Sequence, residues 1–168
     1  MAKQQALNAF EIERSVPFQI TQLSTALNAQ AKKIISRHSD LNLAQWRILH
    51  VLCWGVADTT TSARKAVGID KSQFSKCVRY LADHRLVRMQ SCEKDRRQHQ
   101  LVVTAKGRKL HERISPEIDA RRAHLMSAIS VKEQQMLFSV IKRLEAASDK
   151  TDFCNDEQRV DEQGRAVA

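Results

Sequence analysis

Glycine and proline are scarce in this chain, four and two residues among 168. So few breakers exclude elaborate loops and point to a largely helical protein. Long apolar runs are missing as well: the most apolar stretch, Ile48 to Ala57, is far too short to span a bilayer. Cys53, Cys77, Cys92 and Cys154 show no paired spacing and no secretory leader is evident, so the chain reads as cytosolic with reduced thiols. The signatures of catalysis are lacking too. There is no G-x-S-x-G elbow, no Gly-rich phosphate loop and no evident carboxylate pair beside an apolar pocket. His84, His99 and His111 have neither H-x-x-x-H nor C-x-x-C company, so they read as surface or packing residues. No enzyme, cofactor or metal is expected.

What is present is positive charge, unevenly placed. The formal net charge is +9. From Ser148 onward six acids face Lys150, Arg159 and Arg165, so residues 1–147 carry +12. Between His84 and Arg113, nine Lys or Arg face three acids. Such a patch predicts a polyanionic partner and salt-sensitive binding. A membrane-surface helix fits less well, because the charge does not lie along one face of a Trp/Phe/Leu-rich helix.

The segment Gly68 to Thr104 concentrates the functional signals. Asp70 with Gln73 forms a capping-box pattern, and Phe74, Cys77, Val78 and Leu81 then follow at helical spacing on one face. The opposite face carries Lys71, Ser72, Gln73, Ser75, Lys76 and Arg79, all donors or small polar groups without an acid. Such a face suits the DNA major groove, where Gln and Lys read base edges and Lys, Arg and Ser reach phosphates. An ordinary solvated helix face is the alternative. Val87 to Cys92 and Gln100 to Thr104 read as two short strands around a basic tip. In that tip Arg97 would enter the narrow minor groove, braced by Asp95, with Lys94 or Arg96 on phosphate.

The runs GIDKSQFSKCVRYLADHRLV, DRR and LVVTAKGRKL, with LNLAQWRILHVL upstream, resemble the MarR family of transcription regulators over roughly residues 18 to 147. The resemblance implies a mainly α fold with a small β-wing: a winged helix-turn-helix core at about 42–104, and helices at about 18–38 and 105–147 that build a homodimer. Arg85 stands where the family usually has glycine, Phe74 where a smaller residue is usual, and Arg64 where a small or aliphatic residue is common. Adjusted local packing is expected there, not another fold. The resemblance further implies a small-molecule effector, often an aromatic or phenolic carboxylate. Phe18, Trp46 and His50 would line its site and Arg14 or Arg47 would meet the carboxylate; Trp46 as plain core is the alternative.

Around this centre, residues 1–17 read as a loose arm, and Pro17 opens a helix to about His38. Asn42 with Gln45 caps a second helix, whose inner face is Trp46, Leu49, Leu52 and Cys53. Thr59, Thr60 and Thr61 either donate to phosphates or supply an N-cap. Thr104 begins a long helix with an apolar seam at Leu110, Ile114, Ile118, Leu125 and Ile129, which Pro116 is expected to kink. Ser130 with Glu133 opens a last apolar helix, and residues 148–168 read as an acidic tail. The functional expectation is sequence-specific recognition of a pseudo-palindromic DNA duplex by a homodimer, most simply a repressor released by a ligand. The alternatives are charge-driven DNA organisation, a protein-binding module, or a redox-responsive regulator using Cys77 or Cys92.

Overall fold

The structure is a computed structural model, and it describes residues 12, 14–91 and 99–152. The chain divides into two compact units, Met1–Ala120 and Arg121–Ala168. The elements in order are α1 (Val16–His38), α2 (Leu43–Cys53), α3 (Thr60–Val67), α4 (Lys71–Asp83), β1 (Val87–Ser91), β2 (His99–Val103), α5 (Ala105–Ser127) and α6 (Val131–Ala147). The unit boundary falls inside α5.

In the first unit each helix starts where a polar side chain meets its orphan N–H groups. Asn42 and Gln45 form a complete capping box on α2. Thr59 and Ser62 do the same on α3, which commits Thr59 to the cap. The core is then filled by the inner faces: Ile35 of α1, Ile48 and Leu49 of α2, Ala63 of α3, Leu81 of α4 and Ile114 of α5 are almost wholly buried. Trp46 is core as well, at 3% exposure.

β1 and β2 pair antiparallel, with Val87 opposite Val103 and Met89 opposite Leu101. A bridge from Thr59 to Gln100, and a bond from the Leu101 N–H to the Asp58 carbonyl at 2.8 Å, fasten the ribbon to the start of α3. The ribbon's tip, residues 92–98, lies outside the described residues.

α4 ends in a double-bonded turn. The Arg85 N–H donates to the Ala82 carbonyl and the Leu86 N–H to the Leu81 carbonyl, each at 2.8 Å. This is the Schellman pattern, completed by contact between buried Leu81 and Leu86. Its left-handed position is held by Arg85, at φ +58°. The arginine therefore adopts the backbone that glycine would take without strain.

One expectation needs correction, at the start of α5, and at Pro116 the helix is not broken. Pro116 lies inside α5, which continues through it from Ala105 to Ser127. Pro116 and Glu112 are both exposed, so water can satisfy the carbonyl that proline leaves without a donor. Thr104 is the cap of that helix, not its first residue: its hydroxyl accepts from the Gly107 N–H at 3.0 Å.

A histidine pair joins α2 to α5 across the core. His50 Nδ1 and His111 Nε2 lie 3.0 Å apart, and the His111 ring stacks on Trp46 at 5.2 Å. Burial holds the His111 pKa below its ordinary 6.5; Arg108 lowers it further, while Asp119 and Glu112 pull it upward. As pH falls through 6.5 the unfolded chain takes up a proton that the native site refuses, so stability is full above that value and declines below it. Urea unfolding at pH 7.5 and 5.5 should show the native state weakened at the lower pH, and His111→Gln should reduce that difference. An equal acid loss in the variant would clear His111 of the effect.

In the second unit, Ser130 and Glu133 make the expected capping box on α6. The two Ser130 bonds hold the Glu133 carboxyl below its ordinary pKa. The Gln134 amide closes the preceding turn on the Met126 and Ile129 carbonyls. No residue of α6 is buried, and Met136, Leu137, Phe138, Ile141 and Leu144 are all exposed.

Candidate nucleic-acid interface

The inner stripe of α4 decides what its outer face can do. Phe74, Cys77, Val78 and Leu81 are 0–5% exposed. Lys71, Ser72, Gln73, Ser75, Lys76 and Arg79 are thereby turned to solvent together. Asp70 caps the helix through the Gln73 N–H at 2.9 Å. The reciprocal half of the expected capping box is not formed, so the Gln73 amide is not occupied by the cap. Ser75 differs from the other five, because its hydroxyl donates back to the Lys71 carbonyl at 2.9 Å. It has lone pairs to offer a partner, and its proton is already placed.

Beside this face runs a groove of about 660 Å³ between α3, α4 and the ribbon. Thr60, Thr61, Arg64, Lys71, Arg79 and His99 border it, over a floor of Phe74 and Val78. Sequence reasoning passed over Arg64 and His99 as contributors to this surface. Their place follows from the helix-turn-helix packing of α3 on α4 and from the ribbon register, which no local pattern announces. Phe74 fits the core at 5% exposure despite its size.

The wing residues Lys94, Asp95, Arg96 and Arg97 lie outside the described residues, as do Cys92 and Cys154. Cys77 is buried, and burial raises its thiol pKa, the reverse of what a sensor thiol requires. Cys53 is half-buried and raised chiefly by the same cause. The described residues contain no cluster able to hold a metal ion, and none of their helices is long and apolar enough to cross a membrane.

The expected effector residues are spread across the first unit. Trp46 and His50 touch, with ring centres 5.2 Å apart. Arg47 is tied to the Asn28 side chain of α1 at 2.7 Å. Phe18 is half-buried and Arg14 exposed near the start of α1.

Three helices of which the last presents a polar, acid-free face, followed by a two-stranded ribbon, define a winged helix-turn-helix. Residues 39–98 match the model of the MarR family, and the fold is similar to that of solved MarR-type regulators. A MarR/EmrR family transcriptional regulator from Acinetobacter sp. ADP1 is 23% identical, with a TM-score of 0.74 over 83% of this chain and 99% of that one. S. aureus MepR in its DNA complex is 19% identical, with a TM-score of 0.72 over 80% of this chain and 97% of that one. The PcaV transcriptional regulator of Streptomyces coelicolor, in complex with its natural ligand, is 19% identical, with a TM-score of 0.66 over 82% and 96%.

Proposed function

We propose that this chain is a homodimeric, sequence-specific double-stranded DNA-binding transcription regulator that acts most simply as a repressor released by a small organic ligand. The observation that carries this is the exposed face of α4: five side chains with free donors, no acid among them, seated by a fully buried opposite stripe. Gln73 and Lys76 read base edges, while Lys71, Ser72 and Arg79 position the helix on phosphate. The kinship in fold with MepR in its DNA complex supports this use of the helix.

A second copy answers the apolar surface that the chain leaves bare. Val16, Ile20 and Leu23 on α1 and five large apolar side chains on α6 are exposed. Such patches call for a partner, and a twofold one also supplies two reading heads. Their half-sites would lie about 34–36 Å apart. An effector such as an aromatic carboxylate would act by preferring one spacing of those heads. PcaV, which shares the fold, is a regulator with a natural ligand of its own.

The test is the ratio of operator to scrambled-duplex affinity, on a site found by mapping bound fragments. A regulator should discriminate by roughly a thousandfold or more at physiological salt, whereas a charge-driven DNA organiser shows almost none. Arg97→Ala, in the wing, should weaken operator binding by about 1–3 kcal/mol. Fluorescence anisotropy on that operator measures it, and unchanged affinity removes Arg97 from the minor groove.

A further inference from the structure

We propose that Arg64 of α3 clamps one sugar-phosphate strand of the bound duplex, a contact this chain adds to those of α4 and the wing. The clamp rests on the DNA-binding function proposed above and places a further residue in that site. A helix lying in the major groove and a ribbon tip entering the neighbouring minor groove stand on either side of one phosphodiester strand. The cleft between helix and ribbon is therefore where that strand runs. In this chain the cleft is the groove of about 660 Å³ bordered by α3, α4 and the ribbon.

Lys71 and Arg79 on its lining belong to α4, whereas Arg64 approaches from α3. Against these three cations the described lining sets one carboxylate, Asp83, at the far end of α4 from Lys71. The main chain of Arg64 is fixed where the two helices join. Its carbonyl accepts from the Gly68 N–H at 3.0 Å, at the left-handed residue that ends α3. Its side chain is uncommitted: Arg64 is half-buried and makes no ion pair among the described residues. A half-buried arginine covers its aliphatic stem and keeps its guanidinium for water or a ligand.

Arg64 and Phe74 are both departures from the MarR pattern, and both border this groove. Phe74, at 5% exposure, closes the floor beneath the rim of cations. A small residue at position 64 would leave the α3 side of the cleft to the hydroxyls of Thr60 and Thr61, which are neutral donors. The guanidinium adds charge and a planar pair of N–H groups that matches two phosphate oxygens. Such a contact carries no base information directly. It strengthens specific and scrambled duplexes alike and fixes the register of the strand against α4.

The full chain, as wild type, Arg64→Ala and Arg64→Lys, should be titrated by anisotropy against its operator and a scrambled duplex at three salt concentrations. Arg64→Ala should weaken both duplexes by roughly tenfold and lower the salt slope by about one unit. Arg64→Lys should keep the slope and recover only part of the affinity, because an ammonium lacks the planar fork. A second measurement alters the DNA instead, with neutral methylphosphonates placed one at a time along the operator backbone. One position in each half-site should weaken the wild type and leave Arg64→Ala unaffected. Unchanged affinity and slope in Arg64→Ala would overturn the clamp and leave the regulator intact, as would a methylphosphonate profile identical in the two proteins. A loss confined to the operator would also overturn it, by making Arg64 a base reader. Equal wild-type affinity for both duplexes would instead refute sequence-specific recognition, and the scrambled duplex would still report on Arg64. No binding to either duplex would sink both.

Discussion

Gly107→Ala should be among the most damaging single substitutions in the chain, although it adds only one methyl group, because Gly107 is buried in the first turn of α5. A Cβ at this position would stand 2.1 Å from the Leu86 carbonyl oxygen and 3.0 Å from the Leu86 carbonyl carbon and the Val103 methyl. Backbone oxygen cannot swing aside as a side chain would. The Leu86 carbonyl is also fixed from the other direction, since it accepts from the Thr104 N–H at 3.0 Å and from the Thr104 hydroxyl at 3.2 Å. That hydroxyl reaches the Arg85 carbonyl as well, at 2.6 Å. Relieving the clash therefore means pulling α5 away from the turn that closes α4. Overpacking of this kind costs about 1–3 kcal/mol, and the rigid backbone obstacle places it at the upper end. For a chain of this size that is a fall in melting temperature of roughly 6–12 °C. Thermal unfolding followed by circular dichroism measures it, and a shift below about 2 °C would mean the junction yields more freely than its bonds imply.

Lys76→Glu should weaken operator binding severely while leaving the fold intact. Lys76 is exposed at the centre of the outer face of α4, and the described residues give it no ion pair to lose. Stability should change by less than about 0.5 kcal/mol. Against DNA the substitution removes one attraction and adds one repulsion at the closest approach to the groove. A loss of about 2–4 kcal/mol per protomer contact follows, roughly thirtyfold to a thousandfold in affinity. Lys71→Ala should behave differently. As a phosphate contact it should weaken specific and scrambled duplexes alike and reduce the salt slope by about one unit. Anisotropy titrations on both duplexes at three salt concentrations separate the two roles. If Lys76→Glu still binds its operator normally, α4 is not the reading helix.

The parts of this architecture written in neighbouring residues were legible in the chain. Asn42 with Gln45 and Ser130 with Glu133 marked two helix starts that the structure keeps. The spacing of Phe74, Cys77, Val78 and Leu81 gave the buried stripe of α4, and with it the composition of the opposite face. α5 passes through Pro116, which sits where solvent can satisfy the carbonyl it leaves free. The local patterns also misled in one place. Gln73 has the right spacing for a reciprocal cap and does not make it. What the sequence could not reveal is proximity across distance. His50 and His111 are 61 positions apart and meet only because α5 packs on α2. The groove beside α4 is likewise assembled from three separate segments.

The left-handed corner at Arg85 has a practical consequence for how this chain tolerates change. Its geometry is enforced by paired backbone bonds and by two leucines, so the residue occupying it is not what closes the turn. An L side chain in that conformation carries a penalty of about 1–2 kcal/mol, partly offset by the lower freedom of a non-glycine residue in the unfolded chain. Heat resistance and surface potential thus meet at a single exposed position. An arginine there trades a margin of robustness for one more cation at the root of the ribbon, and drift at this site can retune either property without moving the helix that ends there.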